Sequence, residues 1–206
     1  MGRFKAEGCD VEQGRMGVLG GTFDPIHIGH LVAAEGVREE LRLDRVVFVP
    51  AARPPHKDAA SISDGLRRLE MARLATTDNP AFEVSDLELR RGGTSYTIDT
   101  VRQLKAGYGS GVRLFFLMGV DSLREITMWK DCDSLLEEAV VVVFPRPGLD
   151  PCAVEESIRE RVRFVSTCEV GVASSGIRER VRAGKSIRYL VHPAVEAFIH
   201  REGLYR

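Results

Sequence analysis

The run Gly20-Gly21-Thr22-Phe23-Asp24-Pro25-Ile26-His27-Ile28-Gly29-His30 decides how this chain is read. It follows a short apolar run, Met16 to Leu19, and leads into an amphipathic one, Leu31 to Leu43. That order is strand, glycine-rich turn, helix. Glycines at 20, 21 and 29 let main-chain N–H groups come close to a phosphate, and the new helix adds unpaired N–H groups and the positive end of its dipole. His27 and His30, three residues apart, face one spot beside the turn. The expected occupant is a polyphosphate whose oxygens the histidines hydrogen-bond. A ligand-free tight corner is the plainer alternative. A metal site on Asp24, His27 and His30 is a third, but a structural zinc site needs four ligands, often cysteine, and no cysteine lies nearby. No Gly-Lys-Ser/Thr follows the glycines, so this is not a P-loop, and Gly-x-Gly-x-x-Gly is absent.

Outward from this turn, short β-branched runs alternate with helical patterns. Strands are predicted at Met16–Leu19, Arg45–Val49, Phe82–Val84, Arg113–Met118, Val140–Phe144 and Arg163–Val165. Helices are predicted at His30–Leu41, Asp64–Ala75, Thr97–Ala106, Asp133–Glu138, Ala153–Arg161, Gly176–Ala183 and Pro193–Arg201. The near-continuous apolar run Val140 to Phe144 suits the middle of a parallel sheet covered on both faces. The alternation predicts an α/β fold with a doubly wound, mainly parallel sheet. Ligands of such sheets gather beyond the carboxyl ends of the strands. The unusual loops, 20–29, 50–60, 119–130 and 145–150, all follow strands. Residues 1–14 are polar and patternless and read as a disordered extension. Residues 15–206 read as one domain, with 171–206 a helical C-terminal part.

Composition narrows the class. The 206 residues suffice for one sizeable core, and 44% hydrophobic with 29% charged residues reads as globular and soluble. A formal net charge of -1 provides no overall field toward nucleic acid or a membrane, so neither is an expected partner. Cys9, Cys132, Cys152 and Cys168 are scattered without a C-x-x-C, which argues against zinc ribbons and redox dithiols. Free thiols in a reducing cytosol, and a cytoplasmic location, are the expectation. There is no apolar signal stretch and no run of membrane-spanning length. Oligomeric state stays open, a homo-oligomer included.

Four further segments and two single residues carry chemistry. Val49-Pro-Ala-Ala-Arg-Pro-Pro-His-Lys57 is a stiff loop whose tip offers His56 and Lys57 to an anion, or an ordinary solvated loop. Gly93-Thr-Ser-Tyr-Thr97 leads into a helix; Thr97 or Ser95 reads as an N-cap, which is compatible with binding. In Met118-Gly-Val-Asp-Ser122, Gly119 allows close approach of a nucleotide and Asp121 can accept from ribose hydroxyls. Trp129, the only tryptophan, reads as core by the common use of that residue, or, since it lies in a polar stretch, as a face offered to a heterocycle. Arg146, after the fifth strand, reaches nucleotide or caps carbonyls. In Ser174-Ser-Gly-Ile-Arg-Glu-Arg180, Ser174 or Ser175 can cap a helix whose first turn binds phosphate, beside the Arg178 fork. A capped surface helix is the plain reading of that segment alone.

In order, Gly-Gly-x-Phe-Asp-Pro-x-His-x-Gly-His, Pro-Pro-His-Lys, Ser-Tyr-Thr, Gly-x-Asp-Ser-Leu with a following Trp, Arg-Pro-Gly and a serine turn before Ile-Arg-x-Arg resemble the nicotinate-nucleotide adenylyltransferase family. This belongs to the His-x-Gly-His nucleotidyltransferase superfamily, with a Rossmann-like sheet, and the resemblance covers about residues 16 to 206. Ser175 stands where members often carry Thr, and Ala51 and Ala52 where many carry a polar residue. The resemblance implies transfer of the adenylyl group of ATP to nicotinate mononucleotide in NAD biosynthesis, giving nicotinate adenine dinucleotide and pyrophosphate. It implies an ATP site of Gly20, Gly21, Thr22, Phe23, His27, His30, Gly119, Asp121, Arg146, Ser174, Ser175, Ile177 and Arg178, with His27, His30 and Arg178 acting in catalysis. It places His56, Lys57, Thr97 and Trp129 at the mononucleotide. Mg²⁺ is implied on the ATP phosphates, with no protein side chain as ligand. Pantetheine-phosphate adenylyltransferase and a non-catalytic nucleotide sensor are the alternatives.

Overall fold

The computed structural model describes residues 14–54, 62–109, 111–148 and 155–206. Six strands form one sheet: β1 Gly14–Gly21, β2 Arg45–Pro50, β3 Phe82–Val84, β4 Val112–Gly119, β5 Val140–Phe144 and β6 Arg163–Phe164. Their order is β3-β2-β1-β4-β5-β6, and every pairing is parallel. The helices are α1 Ile28–Leu41, α2 Gly65–Thr76, α3 Leu87–Arg91, α4 Thr97–Tyr108, α5 Val120–Leu123, α6 Cys132–Glu138, α7 Glu156–Arg159, α8 Ser174–Arg182 and α9 Pro193–Arg201.

Both sheet faces are covered, so the central strands are apolar at successive positions. Val46, Phe48, Phe115, Leu117, Val142 and Phe144 point to a core shared with α1, α2, α8 and α9. Their neighbours Val47, Val49, Leu114, Phe116, Val141 and Val143 point to a second core under α3, α4, α6 and α7. The chain reverses its direction of winding between β1 and β4, the two strands that pair at the sheet's centre. In such sheets the crevice for a ligand opens there.

The doubly wound expectation holds, and the sheet is parallel throughout its described strands. Three short helical pieces were not foreseen: α3, α5 and a 3₁₀ turn at Ile126–Met128. Each is too short to show a periodic pattern. The expected 1–14 extension, except Gly14, lies outside the described residues, as do His56, Lys57 and the start of the helix expected at Ala153–Arg161.

Candidate active site

The turn after β1 is shaped by side-chain packing. Phe23 takes a left-handed φ of 50°, and its ring lies against Gly21, where a Cβ would approach it to 2.8 Å. Phe23 is buried and meets His30 edge-on, centroids 5.1 Å apart. His27 stacks on His30 at 3.7 Å. The main-chain N–H of His27 donates to His30 Nδ1 at 3.2 Å. An accepting Nδ1 leaves the ring proton of His30 on Nε2. Burial, and secondarily the charge of Arg146, push the His27 pKa down to about 4. His27 is therefore neutral at pH 7, a hydrogen-bonding ring and not a cation.

At the start of helix α1 two of the first N–H groups are already paired. Ile28 N–H already donates to Leu190 at 3.0 Å, and His30 N–H to His27 at 2.9 Å. Helix α8 brings a second N-terminus to this turn. It docks on the β1–α1 turn from the far end of the chain: Ser174 Oγ donates to the Pro25 carbonyl at 2.9 Å, and Arg178 Nη1 to that of Asp24 at 2.7 Å. The serines do not cap α8, whose N-cap is Ala173. Nor does Ser95 or Thr97 cap α4, whose N-cap is Tyr96. Ser95 Oγ instead accepts from the N–H groups of Ala52, at 2.9 Å, and Arg53, at 3.3 Å.

Two cavities meet over the carboxyl ends of β1, β4 and β5. One, of about 460 Å³, is lined by Gly20, Gly21, Thr22, Gly119, Thr97 and Trp129 among others. The second, of about 440 Å³, is lined by His27, Ser174, Ser175 and Arg178 among others. His30, Asp121 and Arg146 line both, so they are two lobes of one cleft. Each lobe is within the size range of small-molecule sites. At the junction, Arg146 Nε lies 3.6 Å from Asp121 Oδ1 and has no hydrogen-bond partner, although the atom is buried. A Cβ at residue 119 would collide with the Asp121 carboxylate and lie 2.9 Å from Arg146 Nε, so any larger residue would push both side chains out of their present places. Trp129 is half-buried and meets Phe116 edge-on at 6.0 Å.

Three residues stand apart from these expectations. Ile177 is 1% exposed and packs in the core beneath α8. Asp24 faces away from the histidines: Oδ1 accepts from Tyr205 at 2.6 Å and Oδ2 from Ser63 N–H at 3.1 Å. Glu88 also lines the first lobe; it is 6% exposed, Oε1 accepts from Thr100, and Oε2 has no hydrogen-bond partner. Nothing in its short helix marked Glu88 beforehand.

The parallel 3-2-1-4-5-6 sheet, with a glycine turn and paired histidines at the carboxyl end of β1, is the arrangement of a nucleotidyltransferase, and the comparisons place the chain in that class. The family model described as cytidylyltransferase-like matches residues 18–180. A relative from Moorella thermoacetica, named "Probable nicotinate-nucleotide adenylyltransferase", is 46% identical over 200 residues, 94% of this chain and 92% of its own. A Thermus thermophilus relative of the same name is 45% identical, covering 93% of this chain and 100% of its own. The chain belongs to the nicotinate-nucleotide adenylyltransferase family. Its fold matches Plasmodium falciparum nicotinic acid mononucleotide adenylyltransferase complexed with NaAD, TM-score 0.75 at 19% identity, over 93% of this chain and 97% of that one. Among the described residues no helix is long and apolar enough to cross a membrane.

Proposed function

We propose that this chain transfers the adenylyl group of ATP to nicotinate mononucleotide, forming nicotinate adenine dinucleotide and releasing pyrophosphate. The observation that carries this reading is the two-lobed cleft joined at His30, Asp121 and Arg146. One lobe takes the mononucleotide, with its ring on Trp129 and Thr97 beside it. The other takes the triphosphate of ATP, with Ser174, Ser175 and Arg178 holding the departing pyrophosphate. Gly119, Asp121 and Arg146 meet the adenosine part. His56 and Lys57 act near the mononucleotide phosphate.

The nucleophile is a phosphate oxygen of nicotinate mononucleotide. A phosphate monoester has a second pKa of about 6, so at neutral pH it is mostly dianionic and needs no general base. Its oxygen forms the new bond to the α-phosphorus of ATP. The bond from that phosphorus to the bridging oxygen breaks, and pyrophosphate leaves with the electron pair. The barrier is electrostatic and geometric, because two anions must meet in line. Neutral His27 and the Nε2–H of His30 supply directed hydrogen bonds. Arg146 and Arg178 supply positive charge, and the buried Nε of Arg146 suits an incoming oxygen.

Mg²⁺ would be carried on the ATP phosphates, whose oxygens are the hard ligands this ion prefers. Bound there, the ion neutralises phosphate charge. For the nicotinate carboxylate, the first lobe offers the start of α4 at Thr97. ATP labelled at its α-phosphorus tests the reaction: the label should pass to the dinucleotide and leave pyrophosphate unlabelled. Label retained in free AMP would contradict it.

A further inference from the structure

Arg68, in α2, is 2% exposed, which is rare for arginine. Its fork makes three hydrogen bonds to main-chain carbonyls: Nε to Ser63 at 2.9 Å, Nη1 to Thr22 at 2.7 Å and Nη2 to Ala52 at 3.4 Å. These carbonyls belong to separate stretches. Thr22 lies in the turn after β1, directly before Phe23, on which His30 rests. Ala52 follows β2, and its N–H is held by Ser95. Ser95 in turn donates its own N–H to Arg53 at 3.0 Å and stands two residues before Thr97. Ser63 closes the ring, because its N–H holds Asp24 of the first turn.

We infer that Arg68 is a positioning residue that sets the β1–α1 turn, and with it His30 where the two lobes join, against the Thr97 side of the mononucleotide lobe. This rests on the reaction proposed above. Through Thr22 the guanidinium sets the glycine turn and the histidines. Through Ala52 and Ser95 it sets the approach to Thr97. Arg68 itself lines neither lobe. Each lobe can still bind its ligand when the link is loosened, but the attacking oxygen and the α-phosphorus no longer meet in line. A lysine retains the charge but is a point donor and cannot span three carbonyls in the plane of a fork.

The test compares wild type, Arg68→Lys and Arg68→Met, with circular dichroism and Tm recorded for each. Wild-type turnover of ATP and nicotinate mononucleotide must be seen first; its absence would sink the proposed reaction and not the role of Arg68. In both variants kcat should fall about 10- to 100-fold, the scale that small misplacements of reacting groups produce. The KM for each substrate, and the calorimetric Kd for ATP, should stay within about threefold of wild type. Full activity in Arg68→Lys would overturn the inference, since charge alone would then suffice. So would a lower Tm with unchanged kcat, or a raised KM with unchanged kcat. Failure of Arg68→Lys to fold would also overturn it, by making Arg68 a residue of the fold and not of alignment.

Discussion

His30 accepts the main-chain N–H of His27 through Nδ1 at 3.2 Å, while the two rings stack at 3.7 Å. The backbone of one histidine thus chooses the tautomer of the other. Two imidazolium ions stacked so closely would repel, and the low pKa of His27, about 4, removes that conflict. In the proposed reaction the pair would offer oriented hydrogen bonds to the transferring phosphoryl group, beside the charge of Arg146 and Arg178.

Replacing His30 by alanine should therefore lower kcat by about 10²- to 10³-fold, as loss of one oriented donor does elsewhere. ATP affinity, followed by calorimetry, should change far less. An equal loss of ATP affinity with unchanged kcat would assign His30 to ground-state binding.

The His27 pKa also makes stability depend on pH. Its value is lower in the folded chain, about 4 against 6.5, so between these values the unfolded chain binds a proton that the native ring refuses. Stability contributed above pH 6.5 is lost as pH falls toward 4, by about 3 kcal/mol in all. Denaturant titrations across this window should show a shallower slope in His27→Asn than in wild type. Identical slopes would mean that His27 titrates normally in the native protein.

Trp129 borders the lobe assigned to the mononucleotide. Trp129→Ala should raise the KM for nicotinate mononucleotide roughly 2- to 12-fold, the worth of one aromatic stack. The KM for ATP should hold. Equal increases for both substrates would argue against separate lobes.

Tyr205 binds the C-terminal end to the first turn through Asp24 Oδ1, and burial raises its pKa, with the bond to Asp24 acting the same way. Tyr205→Phe leaves that buried carboxylate oxygen short of a donor and should cost about 1–3 kcal/mol in unfolding free energy. Unchanged stability would show that another donor takes its place.

Much of this molecule was legible in the chain. The β5 limits follow from an apolar run bounded by turns, those of β3 from the alternation Phe82-Glu83-Val84, and α9 from Pro193 at its first position. The glycine turn pointed to the cleft because its chemistry is local. What eluded the sequence depends on contacts between distant segments. Ser174, Ser175 and Ser95 read as caps because caps are the common local use of serine, yet Ser174 and Ser95 are spent on partners 149 and 43 residues away. Arg68 had a visible signal: with Met71, Ala72 and Ala75 it shares the i, i+3, i+4, i+7 stripe that α2 buries. A charge on that stripe marks a buried polar partner, but only the fold reveals that the partners are three carbonyls.

The most direct measurement is pyrophosphate release from ATP and Mg²⁺ with nicotinate mononucleotide, nicotinamide mononucleotide and phosphopantetheine in parallel. Rapid release with nicotinate mononucleotide, and little with the other two, is the expected result. Release with phosphopantetheine in its place would keep the fold but contradict the assigned acceptor, and no release with any of the three would contradict catalysis itself.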